Sequence, residues 1–221
     1  MAAIFPNRSE AGSRLAQRLQ AYAGRDQVLV LALPRGGVPV GYEVARALGV
    51  ELDVLIVRKL GVPHQPELAM GAIASGGARY LNQEVLQLAR VSDAELQPVL
   101  AAETRELERR ERVYRGDRPP SAIAGRTVIL VDDGMATGAS MRAAVLALRS
   151  KSPTRIVVAV PVAPEDASER LAGAADEFVC LESPHNFYAV GQFYLDFEQT
   201  SDQEVRDLLE RNRKLMHKVP A

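Results

Sequence analysis

The chain is poor in cysteine and aromatic residues, has no tryptophan and carries no excess of either charge. Its single cysteine, Cys180, excludes an internal disulfide, and because it falls in an apolar run we expect it in the core rather than as a reactive thiol. The three histidines are scattered, which does not fit a zinc site. With 27 basic and 28 acidic residues, the formal net charge of −1 indicates no general attraction to nucleic acid.

Two further absences concern membranes and secretion. No apolar run approaches the roughly 20 residues that a membrane-spanning helix needs. Residues 1–10 lack the charged-then-apolar layout of a secretory signal. We therefore expect a soluble, cytoplasmic protein with neither nucleic-acid nor membrane partners.

Short apolar runs are abundant, and hydrophobic residues make up 47% of the chain. Strand-like runs occur at 27–33, 52–57, 127–131, 155–160 and 177–181, and helical runs at 38–48, 140–150 and 165–171. Nearly continuous apolar strands that alternate with helices predict an α/β fold, in which helices cover both faces of a parallel sheet. Several strand-to-helix loops should then meet at the carboxyl edge of that sheet. The length suits one domain over 1–221.

The other segments carry their own signals. Further elements are predicted at 9–23 (helix), 69–81 (hairpin), 82–89 (helix), 93–115 (helix) and 202–214 (helix). Ser92 and Glu95 form a capping box that starts the long helix. Its second half interleaves Glu and Arg at i,i+4 spacing, which favours a solvated, self-paired helix over an anion-binding or RNA-binding face. We interpret 82–118 as a helical insertion.

The most informative stretch is the end of the strand at 127–131. Two adjacent carboxylates, Asp132 and Asp133, follow it, and a loop of small residues leads into the next helix. The loop consists of Gly134, Met135, Ala136, Thr137, Gly138, Ala139 and Ser140. Such a loop can wrap a phosphate with its backbone N–H groups, and the positive end of the helix dipole reinforces this. The carboxylates would repel a phosphate but accept hydrogen bonds from sugar hydroxyls, so the stretch indicates a site for a phosphorylated sugar. The alternative is an ordinary strand–turn–helix.

This stretch resembles the phosphoribosyl pyrophosphate (PRPP) signature of the type I phosphoribosyltransferases. The resemblance implies that Asp132 and Asp133 bind the ribose 2- and 3-hydroxyls and that the loop binds the 5-phosphate. It also implies a parallel sheet flanked by helices, with a small hood formed by about 1–26 and 182–200.

Two upstream segments resemble other parts of that family. Arg35, Gly36 and Gly37 follow the strand at 27–33, where family members bind pyrophosphate, and paired glycines allow close backbone approach to an anion. Arg58 and Lys59 follow the next apolar run and would neutralise the departing pyrophosphate. A mobile lid would then extend from residue 60 to about 66. For Lys59, a solvated charge at a strand end is the alternative.

Substrate choice rests on the fourth and weakest match. Tyr188, or its neighbour Phe187, would stack on a base as in the hood of the 6-oxopurine enzymes, and Asp196 would contact the base edge. This chain has one extra residue before Asp196, and hydrophobic packing of a small subdomain is the alternative.

Ala136 stands where hypoxanthine-type members carry an Asp, so the loop lacks a general acid–base group.

The resemblance implies a Mg²⁺-dependent enzyme that moves 5-phosphoribosyl from PRPP to a small-molecule acceptor and releases pyrophosphate. The acceptor is open, although the aromatic hood suggests a purine-like ring. A PRPP-binding regulator without catalysis is an alternative. A generic doubly wound nucleotide binder or sugar-phosphate phosphatase would account for the phosphate loop but not for the combination of loops. Relatives often pair, so a homodimer is an expectation that the sequence itself does not test.

Overall fold

A computed structural model describes residues 4–217 as two β-sheets with surrounding helices. The strands are β1 (Val28–Ala32), β2 (Glu51–Val54), β3 (Val57–Val62), β4 (Gln65–Ala74), β5 (Ala78–Leu81), β6 (Thr127–Val131), β7 (Arg155–Val162) and β8 (Glu177–Glu182). The helices are α1 (Arg8–Arg18), α2 (Gly37–Leu48), α3 (Gln83–Leu88), α4 (Asp93–Arg115), α5 (Ala139–Arg149), α6 (Ala167–Arg170) and α7 (Asp202–Met216).

The larger sheet is parallel throughout and has the order β2-β1-β6-β7-β8. Its central strands are buried on both faces, which is why their sequences are almost continuously apolar. On β1, Val28 and Val30 belong to the core that includes α1 and α2, whereas Leu29 and Leu31 belong to the core that includes α5. The predicted fold class, a parallel sheet flanked by helices, is confirmed.

The outer edge of β2 is closed by α7. Asn212, a buried residue of that helix, accepts a hydrogen bond from the Leu52 N–H at 2.9 Å and donates one to the Val50 carbonyl at 3.1 Å. A side chain thus supplies the pairing that a further strand would otherwise give to this edge.

The smaller sheet, antiparallel with the order β3-β4-β5, corrects the prediction. The run predicted as one strand over 52–57 is split, because β2 ends at Val54 and β3 begins at Val57. Between them the Ile56 N–H donates to the Ser75 hydroxyl at 2.9 Å. The apolar run continues through the break because both strands and the link between them are largely buried, so hydrophobicity did not mark the boundary.

The segment predicted as a lid from 60 to about 66 is a β-hairpin. Strands β3 and β4 pair up to Val62 and Gln65, so only residues 63–64 form the turn. The pairing shifts register at Gly61, where a Cβ would lie 2.6 Å from the Pro66 carbonyl oxygen. The predicted hairpin within 69–81 is present, but β4 starts earlier, at Gln65.

The two helices of the insertion follow the prediction, and α4 begins with the Ser92–Glu95 capping box. Its last residue, Arg115, is buried and donates to both carboxylate oxygens of Asp53, at 2.9 and 3.1 Å, and to the Val54 carbonyl. Asp53 also accepts from the Ser121 N–H at 3.0 Å. A buried ion pair therefore ties the end of α4 to strand β2.

The two segments predicted as a hood lie against each other in the described part of the chain. The Ile4 N–H donates to the Phe193 carbonyl, and the Leu195 N–H to the Phe5 carbonyl, both at 2.9 Å. Phe5, Phe193 and Tyr194 form a small core with Val162 of β7. Residues 1–3 of the predicted hood lie outside the described residues. Among the helices of 4–217, none is both long and apolar enough to cross a membrane.

Candidate functional site

Two loops meet at the carboxyl edge of the parallel sheet, because they follow the neighbouring strands β1 and β6. The Leu33 N–H donates to the Val131 carbonyl at 2.9 Å, which extends the pairing to the point where both loops begin. The first loop carries Arg35, and the peptide bond between Pro34 and Arg35 is cis. The second loop starts with the acidic pair.

The first loop lies directly on the acidic pair, and only glycine fits there. A Cβ on Gly36 would lie 2.0 Å from Oδ2 of Asp133. A Cβ on Gly37 would lie 2.9 Å from Cα of Asp132 and from the Val131 carbonyl oxygen. These glycines are required by close approach of two chain segments, whereas the Arg35 side chain is directed to the other side of the loop, where its Nη1 lies 3.8 Å from Oδ1 of Asp202.

The acidic pair is largely enclosed by these loops. Oδ1 of Asp132 accepts the Asp133 N–H at 2.9 Å. Burial, and then the nearby charge of Asp133, raise the pKa of Asp132 well above its usual range. Burial also raises the pKa of Asp133, against the opposing effect of the Arg8 guanidinium. Two adjacent carboxyl groups with raised pKa values can bind a cation or accept hydrogen bonds from the hydroxyl groups of a ligand.

Sequence reasoning missed Arg8, which reaches the acidic pair from the start of α1. Its Nε donates to Oδ2 of Asp133 at 2.9 Å, and its Nη1 donates to the Glu198 carbonyl at 2.7 Å. The guanidinium carbon lies 3.9 Å from the centroid of the Phe197 ring. The Tyr194 hydroxyl donates to the backbone carbonyl of Asp133 at 2.6 Å. The hood therefore holds Asp133 in place. Arg8 and Asp133 are 125 residues apart, so no local sequence pattern indicates their contact.

The loop after the acidic pair consists of small residues and Met135 and leads directly into α5. Gly134 and Met135 are buried, and the Met135 N–H donates to the Val162 carbonyl at 2.9 Å. Gly138 has φ of +75° and is followed by the first turn of α5. The exposed residues between and after them are Ala136, Thr137, Ala139 and Ser140. Small, exposed residues at a helix N-terminus leave room for a phosphate.

Comparison with known proteins decides the family. The profile of the phosphoribosyl transferase domain matches residues 4–198, which include both loops and the hood. The chain belongs to this family.

The relatives found are consistent with that assignment. Two curated proteins of Mycobacterium tuberculosis, from strains CDC 1551 and H37Rv, are 49% identical over 208 residues and are named, provisionally, as phosphoribosyl transferases. The match covers 94% of this chain but 47% of theirs, so the chain spans about half the length of these relatives. The crystal structure of TT1426 from Thermus thermophilus is 47% identical, with a TM-score of 0.84, over 94% of this chain and 98% of that one.

The phosphoribosyl transferase domain does not bring every predicted site residue to the two loops. Arg58 and Lys59 lie on β3 of the antiparallel sheet rather than in a loop of the parallel one. Nε of Arg58 lies 2.5 Å from Oε2 of Glu103, so this cation already has a partner on α4. Lys59 is exposed, as its alternative interpretation expected, but it lies within β3 rather than at a strand end.

A pocket of about 420 Å³ lies between the loop that includes Thr137 and the hood. Thr137 and Tyr188 both line it, and Tyr188 is 87% exposed. Phe187 also borders it, but its ring packs on Phe193 at a centroid distance of 5.1 Å. Of the two aromatic residues, Tyr188 is therefore the one free to stack on a flat ligand.

Asp196 is not near Tyr188 in this arrangement. It lies in a different surface pocket, with Arg8 and Ser9, and its N–H donates to the Pro6 carbonyl at 2.9 Å. The pairing of this segment with the N-terminal residues fixes Asp196 in the pocket that Arg8 and Ser9 line. The structure therefore does not unite the predicted stacking residue and the predicted base-edge contact.

Proposed function

We propose that this domain binds PRPP and transfers its 5-phosphoribosyl group to a flat nitrogenous acceptor, with release of pyrophosphate. The observation that carries the proposal is the contact of Gly36 with Asp133 at the ends of adjacent strands. One ligand that spans this contact can place a diphosphate on the Arg35 loop, its sugar hydroxyls on the carboxylates and its 5-phosphate on the loop that includes Thr137.

In the proposed reaction the bond from ribose C1 to the pyrophosphate oxygen breaks, and a bond from C1 to an acceptor nitrogen forms. Asp132 and Asp133 accept hydrogen bonds from the ribose hydroxyls. Their negative charge also stabilises the positive charge that develops on the ribose ring as the bond at C1 breaks, as in other glycosyl transfers. Arg35 and the backbone of Gly36 and Gly37 stabilise the charge that develops on pyrophosphate. The acceptor nitrogen loses its proton to solvent, because the methyl group of Ala136 cannot take up a proton.

Mg²⁺ fits this site as an ion delivered with the substrate. Within residues 4–217 no group of three or more His, Cys, Asp or Glu side chains could hold a metal, whereas the ion commonly binds through substrate phosphates and water with one or two carboxylates. Asp132 and Asp133 are the carboxylates in reach of the proposed sugar. The ion would neutralise charge on the leaving pyrophosphate.

The pocket beside Thr137 suggests the class of acceptor. Tyr188 offers an aromatic face, and Glu165 and Asp166 line the same pocket. These carboxylates accept hydrogen bonds, so the pocket suits a purine-like ring with N–H groups on its edge. Each is already paired in part, Glu165 with His185 and Asp166 with Arg170.

Exchange of radiolabelled pyrophosphate into PRPP, with a panel of purine and pyrimidine acceptors, tests the proposal. We expect acceptor-dependent exchange, and we expect Asp133→Asn to lower kcat/KM by about 10- to 100-fold through loss of charge-assisted hydrogen bonds. Asp207→Asn, an exposed change on α7, serves as the matched control and should leave the rate unchanged. PRPP binding without exchange for any acceptor would instead support a non-catalytic regulator.

The raised pKa values of the acidic pair predict proton release on PRPP binding. The ligand-free pair binds a proton above the usual aspartate pKa of about 3.9, and ribose hydroxyls require the ionised form, so affinity should rise with pH through this titration. The sign for stability is the opposite: the pair stabilises the folded state at low pH, and this contribution is lost as pH rises through the raised pKa values.

Calorimetry in two buffers of different ionisation enthalpy measures the protons released. Asp133→Asn should release fewer protons than the native protein, because it lacks the carboxyl group of Asp133 and because only burial, without the added charge of Asp133, then raises the pKa of Asp132. Protons that come from PRPP itself are common to both proteins and cancel in the difference. Equal release by the two proteins would contradict the expected titration.

A further inference from the structure

A second cavity, of about 240 Å³, lies on the outer side of the first loop. Arg35 contributes to it from that loop, Arg109, Arg110 and Tyr114 from α4, and Asp202 from the start of α7. Three guanidinium groups from two distant parts of the chain therefore border one small cavity. The i,i+4 pattern of charges predicted that the second half of α4 is solvated and pairs with itself. That pattern gave no indication that its arginines lie beside Arg35.

The two α4 arginines are held in place by one carboxylate. Glu106 accepts from Nε and Nη2 of Arg109, at 2.8 and 3.0 Å, and from Nε of Arg110, at 2.8 Å. These hydrogen bonds lower the pKa of Glu106 to about 2, so it is ionised under all physiological conditions. Because Arg110 is engaged through Nε, its Nη groups can still donate to an anion.

The third guanidinium faces a weaker partner. Nη1 of Arg35 lies 3.8 Å from Oδ1 of Asp202, beyond hydrogen-bond distance, and the same carboxylate oxygen accepts the Tyr114 hydroxyl at 2.8 Å. Three cations against the carboxylates of Glu106 and Asp202 leave the cavity with a formal charge of +1. Arginine forks bind phosphate oxygens in pairs, and a diphosphate carries enough charge to engage several of them.

We propose that α4 completes a diphosphate-binding site, in which Arg109 and Arg110 bind the anion together with Arg35. Asp202 lies where it partly balances Arg35, and the hydroxyl of Tyr114 holds it there. That the diphosphate belongs to PRPP rests on the proposed function; binding of inorganic pyrophosphate itself does not. The helical insertion thereby gains a role in substrate binding as well as in packing.

Calorimetric titration with inorganic pyrophosphate and Mg²⁺ tests the site on the intact chain. We expect Arg109→Ala/Arg110→Ala to weaken binding by about tenfold or more. Arg112→Ala is the matched control, because Arg112 is on the same helix, is 72% exposed and does not line the cavity. It should change affinity less than about twofold, in line with an exposed charge.

A second variant separates geometry from charge and guards against misfolding. Arg109→Lys/Arg110→Lys keeps both charges but loses the forks, so its affinity should lie between those of the native protein and the double alanine variant. Equal affinity for the native and double alanine proteins, or an equal loss in Arg112→Ala, would overturn the inference.

If pyrophosphate binding depends on Arg109 and Arg110 but the native protein exchanges no pyrophosphate into PRPP, the site stands and the proposed enzyme fails. If exchange occurs and is unaffected in the double alanine variant, the enzyme stands and this inference fails.

Discussion

Replacing Gly36 with alanine should reduce PRPP turnover by about 100-fold or more. The added methyl carbon would lie 2.0 Å from Oδ2 of Asp133, far inside van der Waals contact. Either the Arg35 loop moves outward or Asp133 leaves its hydrogen bond with Arg8. Both responses separate groups that must hold one substrate, and a misplacement of about 1 Å can cost about 100-fold in rate. Steady-state kinetics and PRPP titration on the purified variant measure the effect.

Gly24→Ala is the control for this variant. Gly24 has φ of +64°, so alanine there is also strained, but no atom lies within 4 Å of the added Cβ. We expect it to lower stability by about 1 kcal/mol and to leave PRPP affinity unchanged. The argument from close approach would be wrong if Gly36→Ala bound PRPP as tightly as Gly24→Ala does.

The two loops were predictable because their chemistry is local in sequence. Asp132 and Asp133 follow a buried strand directly, and Gly36 and Gly37 stand next to Arg35, so each motif can be identified within a few residues. The alternation of strands and helices then placed both motifs at the same sheet edge. The sequence could not indicate how closely the loops approach, since that distance depends on the pairing of β1 with β6.

The residues that were missed or misplaced act across long sequence separations. Arg8 meets Asp133 only because the N-terminal segment packs on the hood. Arg58 was assigned to a loop because the split between β2 and β3 lies inside one apolar run, and only the pairing of β3 with β4 reveals it. Asp196 was grouped with Tyr188 by its position in the chain, although backbone pairing turns it towards another pocket.

Helix α4 illustrates how packing and site depend on each other. Its amphipathic pattern is weak, and the charged half was interpreted as solvated. Yet Arg115 is buried at its end, and Arg109 and Arg110 border the first loop about one to two turns earlier. A helix that is fixed at Arg115 can hold those two arginines at a defined place. Weakening the buried ion pair should therefore affect stability first and diphosphate binding as a consequence.

Replacing Arg115 with methionine should lower the free energy of unfolding by about 3–5 kcal/mol, because it removes one partner of a buried ion pair and leaves the other uncompensated. Asp53 would keep its hydrogen bonds from Val54 and Ser121 N–H but lose both of those from the guanidinium. The carbonyl of Val54 would lose its donor as well. Urea unfolding followed by circular dichroism measures the change, provided that the m-value is unchanged.

A double-mutant cycle separates the pair from the packing around it. Asp53→Leu/Arg115→Met removes both charges of the pair, so it should be more stable than Arg115→Met alone, in which Asp53 is left as an uncompensated buried charge. Glu111 also accepts from Nη1 of Arg115, at 2.8 Å, and loses this partner in both variants, so its contribution cancels in the comparison. Arg112→Met on the same helix replaces a guanidinium that is 72% exposed and lies 3.9 Å from Glu108, and should change stability by less than about 0.5 kcal/mol. The loss of unfolding free energy in the double variant could instead equal the sum of the losses in the two single variants. In that case the ion pair would not be the link that ties α4 to β2, and packing of the helix alone would have to account for its position.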